Sequence, residues 1–289
     1  MEKRKKLLKI FLAAFLALLI GCSHSDDDCD YCSYSYESNS DSNYIGTGYH
    51  CLFIGHSFFA PIAKGMEEHA HRAGFVDHMQ HTIISGGAMG SPLAFWENLS
   101  RKVQIQDILD CGDIDLFGMT YHPDYPSFEG YKNWVEYALQ QNADTRFFIA
   151  LPWSRYPASK DIEMYESDWE TAHLTTIHGY IDTLRVDYPD NDFFCIPYGK
   201  AAIELYKLFE SGNLHDVQTL IRENGSDAIF RDSLGHPEDI LETLGQLIWL
   251  NAIYGVDLND YDYDTGYITD LKAIAQEIMD LHDENYNSH

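Results

Sequence analysis

Basic residues are scarce in this chain. Its 289 residues hold 19 Lys and Arg against 46 Asp and Glu, a formal net charge of −27. Five of those 19 basic residues and one of the 46 acidic ones lie in the first 22 positions, which leaves 14 against 45 afterwards. A field of that sign repels nucleic acid and anionic lipid headgroups. It also disfavours a strongly anionic substrate unless a local patch overrides it. No repeat and no internal linker interrupts the body, which excludes an array architecture and gives no second domain there. The body is long enough for one sizeable core. Cys29-Asp30-Tyr31-Cys32 has no second pair, so a zinc ribbon lacks half its ligands, and the motif reads as a small disulfide. Cys51, Cys111 and Cys195 lie in apolar segments and read as buried thiols.

What is present begins with an export signal. Lys3-Arg4-Lys5-Lys6 forms a basic n-region, and Leu7 to Ile20 is apolar apart from Lys9. Leu19-Ile20-Gly21-Cys22 resembles a bacterial lipobox, with Cys22 lipidated after cleavage. The apolar run is short for a membrane span, which favours residues 1–22 as a removable signal over an uncleaved anchor helix. Ser23 in place of aspartate favours sorting to the outer membrane or cell surface of the bacterial envelope. Residues 23–47 are Ser, Asp and Tyr with almost no aliphatics, a flexible tether. Residues 48–289 form the domain.

Short apolar runs alternate with amphipathic ones along that domain. Strands are expected at 51–55, 80–85, 114–119, 146–151 and 193–196. Helices are expected at 61–74, 103–109, 131–141, 164–186, 200–211, 237–254 and 270–282. The alternation implies a three-layer α/β/α sandwich around a five-stranded, mainly parallel sheet. Ligands of such sheets sit beyond the carboxyl ends of the strands. Ser57 follows the first strand, Gly86 and Gly87 the second, Thr120, Tyr121 and His122 the third, and Trp153 to Arg155 the fourth.

A serine hydroxyl becomes a nucleophile when a base takes its proton, and a histidine base needs an acceptor to fix its tautomer. Ser57 supplies the first part, and Asp232-Ser233-Leu234-Gly235-His236 supplies an acid and a base. Gly55-His56-Ser57 is not the GxSxG elbow, because Phe59 occupies the second glycine position. A Gly-x-Ser at the end of the first strand, with a late acid and histidine, instead resembles the SGNH, or GDSL-like, hydrolases over residues 50 to 255. That resemblance implies a flavodoxin-like fold and ester hydrolysis without metal or organic cofactor. It makes Ser57 the nucleophile and its N–H one oxyanion donor. Gly87 or Gly86 is the second donor, and Asp232 and His236 are orienter and base.

Two departures stand out. Where the family has Gly-x-Asn-Asp, this chain has Gly118-Met119-Thr120-Tyr121, so Thr120 or His122 must donate in place of the asparagine. The last block is Asp-x-x-x-His, one residue longer than usual. Either Gly235 absorbs the extra residue or a backbone carbonyl orients the histidine. Trp153 and Arg155 are substrate-facing candidates, Arg155 as a cation for a carboxylate or phosphate. Export favours acetylated extracellular glycans or short-chain esters as substrates. The alternative is a carbohydrate-binding lipoprotein that keeps the fold without catalysis.

Other features have plainer readings. Ser57 alone also suits a helix N-cap. His69, His71, His78 and His81 cluster, but His69 and His71 lie two apart on different faces, so a solvated helix face is expected rather than a metal site. Asp260 to Gly266 alternates oxygens as a calcium loop does, but its glycine falls one position late and Leu271 stands where a glutamate is needed, so an acidic loop is expected.

Overall fold

Five short apolar segments pair into one sheet. The structure, a computed structural model, describes residues 46–288, which fall within a single unit of the chain. β1 (His50–Gly55), β2 (Met79–Ile84), β3 (Leu116–Thr120), β4 (Arg146–Ala150) and β5 (Phe193–Ile196) lie in the order β2-β1-β3-β4-β5. Every neighbouring pair is parallel. The order reverses between β1 and β3, the switch point of a doubly wound sheet.

Successive side chains of a strand face opposite ways, and the aromatic pairs of β4 and β5 use this to build two cores. On one face Phe53 and Phe148 meet Trp249 edge-on, with centroids 5.5 and 5.1 Å away. Trp249 belongs to α8 (Asp239–Tyr254), which packs beside α1 (Ala60–Arg72). On the other face Phe147 stacks on Phe193 at 5.2 Å, and Phe117 meets Trp134 of α4 (Phe128–Gln141). Gly118 of β3 is paired with Phe148, whose ring lies over it. A Cβ there would sit 2.1 Å from the ring, so only glycine lets Phe148 lie flat across its neighbour.

Between β2 and β3 lie α2 (Pro92–Glu97), capped by Ser91, and α3 (Leu99–Leu109). After β5 come α7 (Lys200–Glu210), then α8, and α9 (Leu271–Asp280) ends the helical part. α2 has only six residues, too few for a 3.6-residue period to read in the sequence. The same limit hides β6 (Thr219–Ile221) and β7 (Ala228–Phe230), which form a separate two-stranded sheet.

The long helix expected at 164–186 is one run with an interruption. α5 (Ile162–Thr171) passes through a π-turn at Ala172–Ile177 into α6 (His178–Asp187). Its buried residues Tyr165, Trp169, His173, Ile177 and Ile181 recur every fourth position. In a pure α-helix that spacing drifts about 40° per step. The wider π-turn takes up the drift and keeps the row facing inward.

Two expectations are corrected. Cys51 and Cys195 are free and buried, but Cys111 is half-buried and disulfide-bonded, because it sits in the surface turn that ends α3. The histidine cluster is only in part on a solvated face: His71 is exposed and His81 half-buried, but His69 is 3% and His78 1% exposed. His69 meets the Tyr261 hydroxyl and Gln246, and His78 meets the Tyr254 hydroxyl and Gln80. The signal segment, Cys22, Cys29-Cys32 and most of the tether lie outside the described residues. Among the described residues no helix is long and apolar enough to cross a membrane.

Gly118→Ala tests the close approach on β3. The methyl group forces Phe148 off its seat and should cost ~1–3 kcal/mol, read as a lower urea midpoint with unchanged m-value. An unchanged midpoint would mean that the ring moves aside freely.

Candidate active site

Ser57 lies two residues beyond β1, in the turn that leads to α1. Its hydroxyl is not a helix cap, since Phe59 is the N-cap of α1 and no side chain bonds there. Instead Ser57 Oγ lies 2.9 Å from His236 Nε2, across 179 residues of chain. His236 Nδ1 lies 2.7 Å from Asp232 Oδ2. A carboxylate beside Nδ1 holds the proton there, which leaves Nε2 bare to accept the serine O–H.

The extra residue between the acid and the histidine is absorbed by the turn. Asp232 Oδ1 accepts the backbone N–H groups of Leu234, Gly235 and His236 at 3.1, 3.1 and 3.2 Å. Gly235 takes φ +103°, a conformation that side-chain-bearing residues rarely adopt. Arg231 N–H donates to the His236 carbonyl at 2.7 Å, and Phe230 bridges Pro237, so the turn is closed at its base by the end of β7. Trp153 Nε1 donates to the Gly235 carbonyl at 2.8 Å. Burial alone would raise the Asp232 carboxyl, but the bonds from the His236 ring and the backbone N–H groups outweigh it and hold the acid below the usual carboxylate range.

The pair opens on a cleft of about 450 Å³ at the carboxyl edge of the sheet. Phe58, Tyr121, Trp153 and Leu234 give it apolar walls, and Gly86, Gly87 and His122 line it too. A Cβ on either glycine would meet open space. Among the described residues, the N–H groups of Ser57 and Gly87 donate to no other group.

Thr120 is not brought to this cleft. It is fully buried, and its hydroxyl lies against the Ala150 carbonyl and His56. Its β3 position points it into the layer beneath, one residue short of the loop. His122 does line the cleft. Its Nδ1 accepts the Asp124 N–H at 3.2 Å, so the neutral ring carries its proton on Nε2. Burial, with Arg155 nearby, holds that ring below the ordinary histidine value.

Trp153 is 2% exposed, and it stacks on Phe58 at 5.5 Å as well as holding the Gly235 carbonyl. It therefore supports the histidine turn besides forming a wall. Arg155 makes a two-pronged pair with Asp124 at 2.7 and 2.8 Å, so its charge is already matched. That pair ties the loop after β3 to the loop after β4.

His56, the residue before Ser57, braces the site, and no sequence motif marks it for that. It lies under the site, 4% exposed, with Nε2 3.1 Å from the Tyr121 carbonyl and Nδ1 accepting the Phe58 N–H at 3.3 Å. Both ring nitrogens thus brace the loops after β1 and β3. Burial drives the ring down to about 3, against the opposing bond to the Tyr121 carbonyl. Trp169 and Ala172 of the long helix also reach the cleft, and no sequence signal marks them.

No protein-family model and no curated protein matches this sequence. Among solved structures, it is similar to a DUF4886 family protein from Bacteroides uniformis ATCC 8492, with a TM-score of 0.54 and 15% identity over 82% of this chain and 96% of that one. That likeness shows an α/β fold with a five-stranded parallel sheet and flanking helices. The periplasmic domain of a lipopolysaccharide acetyltransferase from Salmonella ser. Paratyphi A gives a TM-score of 0.37 at 13% identity, over 73% of this chain and 84% of that one.

His56 generates a test of the site's acid response. Its folded value of about 3 lies below the ordinary ~6.5, so the folded state binds fewer protons than the unfolded one. Stability from this group is complete above pH ~6.5 and falls by up to ~1.4 kcal/mol per unit as pH drops toward ~3. His56→Asn should remove that slope, so wild type and variant converge in urea-unfolding free energy on acidification. Parallel curves would show that His56 charges without cost in the folded state.

Proposed function

We propose that this protein is a serine esterase of the SGNH type, acting by two-step acyl transfer. The observation that carries the reading is the 2.9 Å contact from Ser57 Oγ to His236 Nε2, backed by Asp232 on the far side of the ring. His236 takes the Ser57 proton as Oγ attacks an ester carbonyl. Charge on the carbonyl oxygen is met by the N–H groups of Ser57 and Gly87 and by His122 Nε2–H, in the role that the family gives to an asparagine. The resulting imidazolium is stabilised by Asp232, and it protonates the leaving alcohol. Water, activated by the same histidine, then releases the acid.

The cleft supports a small, uncharged acyl group. Its walls are mostly aromatic and aliphatic, and Arg155 is matched by Asp124, so a carboxylate or phosphate finds no free cation among the lining residues. Its volume lies toward the lower end for small-molecule sites. Acetyl or short-chain esters suit both features. The export signal, lipidation at Cys22 and the acidic tether place such an enzyme, on this reading, at the outer surface of a bacterial envelope. Neutral acetylated glycans are then its natural substrates.

Turnover of p-nitrophenyl acetate tests the assignment. Ser57→Ala and His236→Ala should each lower kcat/KM by ~10⁴-fold or more. Full activity in Ser57→Ala would end the hydrolase reading. Loss of all Ser57-dependent turnover in the wild type, with glycan binding retained, would put a non-catalytic binding protein in its place.

The third oxyanion donor is tested separately. His122→Ala should lower kcat by ~10²–10³-fold with little change in KM, whereas Thr120→Val should leave turnover within about threefold. The opposite ranking would return the role to Thr120.

A further inference from the structure

A second and larger concavity lies on the other side of Trp169 from Ser57. It measures about 530 Å³, and Trp169 lines both. His173 and His282 line it, and their donor atoms lie within 4.8 Å of one another and of the Cys195 sulfur buried behind them. The three residues come from three separate elements: the π-turn, β5, and the turn after α9. Cys195 Sγ is 3.8 Å from His282 Nε2.

Two of the histidines at this site are under-used, whereas His282 also bonds the backbone at Cys195 and Tyr286. His173 is 5% exposed, and neither of its ring nitrogens has a hydrogen-bond partner. His178 Nε2 has none either. Buried imidazole nitrogens are normally paired, because leaving them bare costs the hydration they lost. His173 does stack flat on Trp169, with centroids 4.7 Å apart, but that contact uses the ring face and not the nitrogens.

The backbone reinforces the point. The His178 N–H donates to the His173 carbonyl, a five-residue step. In an α-helix, side chains five apart stand about 140° from each other. The π-turn instead brings these two imidazoles to one face, with ring centroids 4.7 Å apart. π-turns are rare and recur at functional sites.

We propose that His173, Cys195 and His282 bind a thiophilic transition-metal ion of the zinc or copper class, with the remaining coordination position facing the cavity. Two imidazoles and a thiolate are the donors such ions prefer over calcium or magnesium. Donors around a tetrahedral zinc stand about 3.3–3.8 Å apart. The Cys195–His282 pair already meets that spacing, and the full set closes by roughly 1 Å, within the reach of side-chain rotation. Binding breaks the Cys195 S–H bond, forms a sulfur–metal bond and releases one proton to solvent. The site shares no reacting atom with Ser57, so it stands or falls apart from the esterase reading.

The full chain, stripped with a chelator, is titrated with Co²⁺ as a zinc surrogate and, in a separate arm, with Cu⁺. One equivalent of Co²⁺ should bind with a thiolate-to-cobalt charge-transfer band, and Zn²⁺ should displace it. Mg²⁺ should not. Cys195→Ser should abolish the band, and His282→Gln should weaken binding by ~10-fold or more. His173→Phe keeps the stack on Trp169 while removing the ligand, so its metal-free circular dichroism and melting should match wild type while its affinity falls. Competition between the two arms identifies the preferred ion. A folded wild type that shows no thiolate band and takes up no copper overturns the proposal. So does a band that survives Cys195→Ser.

Discussion

Parallel strands all end at the same edge of their sheet, and the candidate site depends on that constraint. Each of β1 to β4 delivers its following loop to one side: Ser57 after β1, the glycines after β2, His122 after β3 and Trp153 after β4. A one-residue shift in register would turn these groups into the neighbouring layer. The buried aromatics on both faces set that register. Gly118 is part of the same constraint, since it lets the Phe148 ring lie across β3 and meet Trp249 on α8. His236 stands just before α8, so the packing of Trp249 also holds its imidazole beside Ser57.

The turn from Arg231 to His236 adds a local device. One carboxylate takes three successive backbone N–H groups on one oxygen and the imidazole on the other. Asp232 therefore shapes the turn and orients the ring at once. Its lowered carboxyl value reflects the same bonds. His56 works in the opposite sense. Deep burial keeps it neutral, and a neutral ring with one donor and one acceptor can tie the loops after β1 and β3 together. The chain carries a large acidic excess, yet the cleft itself has little net charge, because Arg155 and Asp124 match one another beside it.

One helical run serves both concavities. Trp169 and Ala172 reach the Ser57 cleft, while His173 and His178 face the other cavity. The π-turn between α5 and α6 makes this possible by keeping an every-fourth-residue row on one face. The Trp169 indole, with Nε1 bonded to the Pro152 carbonyl, is the wall between the two.

Local pattern was enough for the sheet. Alternation and apolar runs mark all five strands to within about two residues, because each is a short, largely apolar run, and glycine or proline closes or soon follows most of them. Pattern also marked Ser57, Asp232 and His236 as candidates, since strand ends and a helix start are written in neighbouring residues. The six-residue helix α2 and the three-residue strands β6 and β7 escaped it, because too few positions exist there for a period to show. So did the burial of His69 and His78, whose partners Tyr261 and Tyr254 lie almost two hundred residues away. What the amino-acid order determined by itself is the succession of strands and helices, and hence the edge on which polar loops gather. Only the tertiary structure decided that Ser57 meets His236, that Thr120 turns inward while His122 faces the cleft, and that His173, Cys195 and His282 converge. Those outcomes depend on side-chain direction and on contacts between distant segments, which local periodicity does not encode.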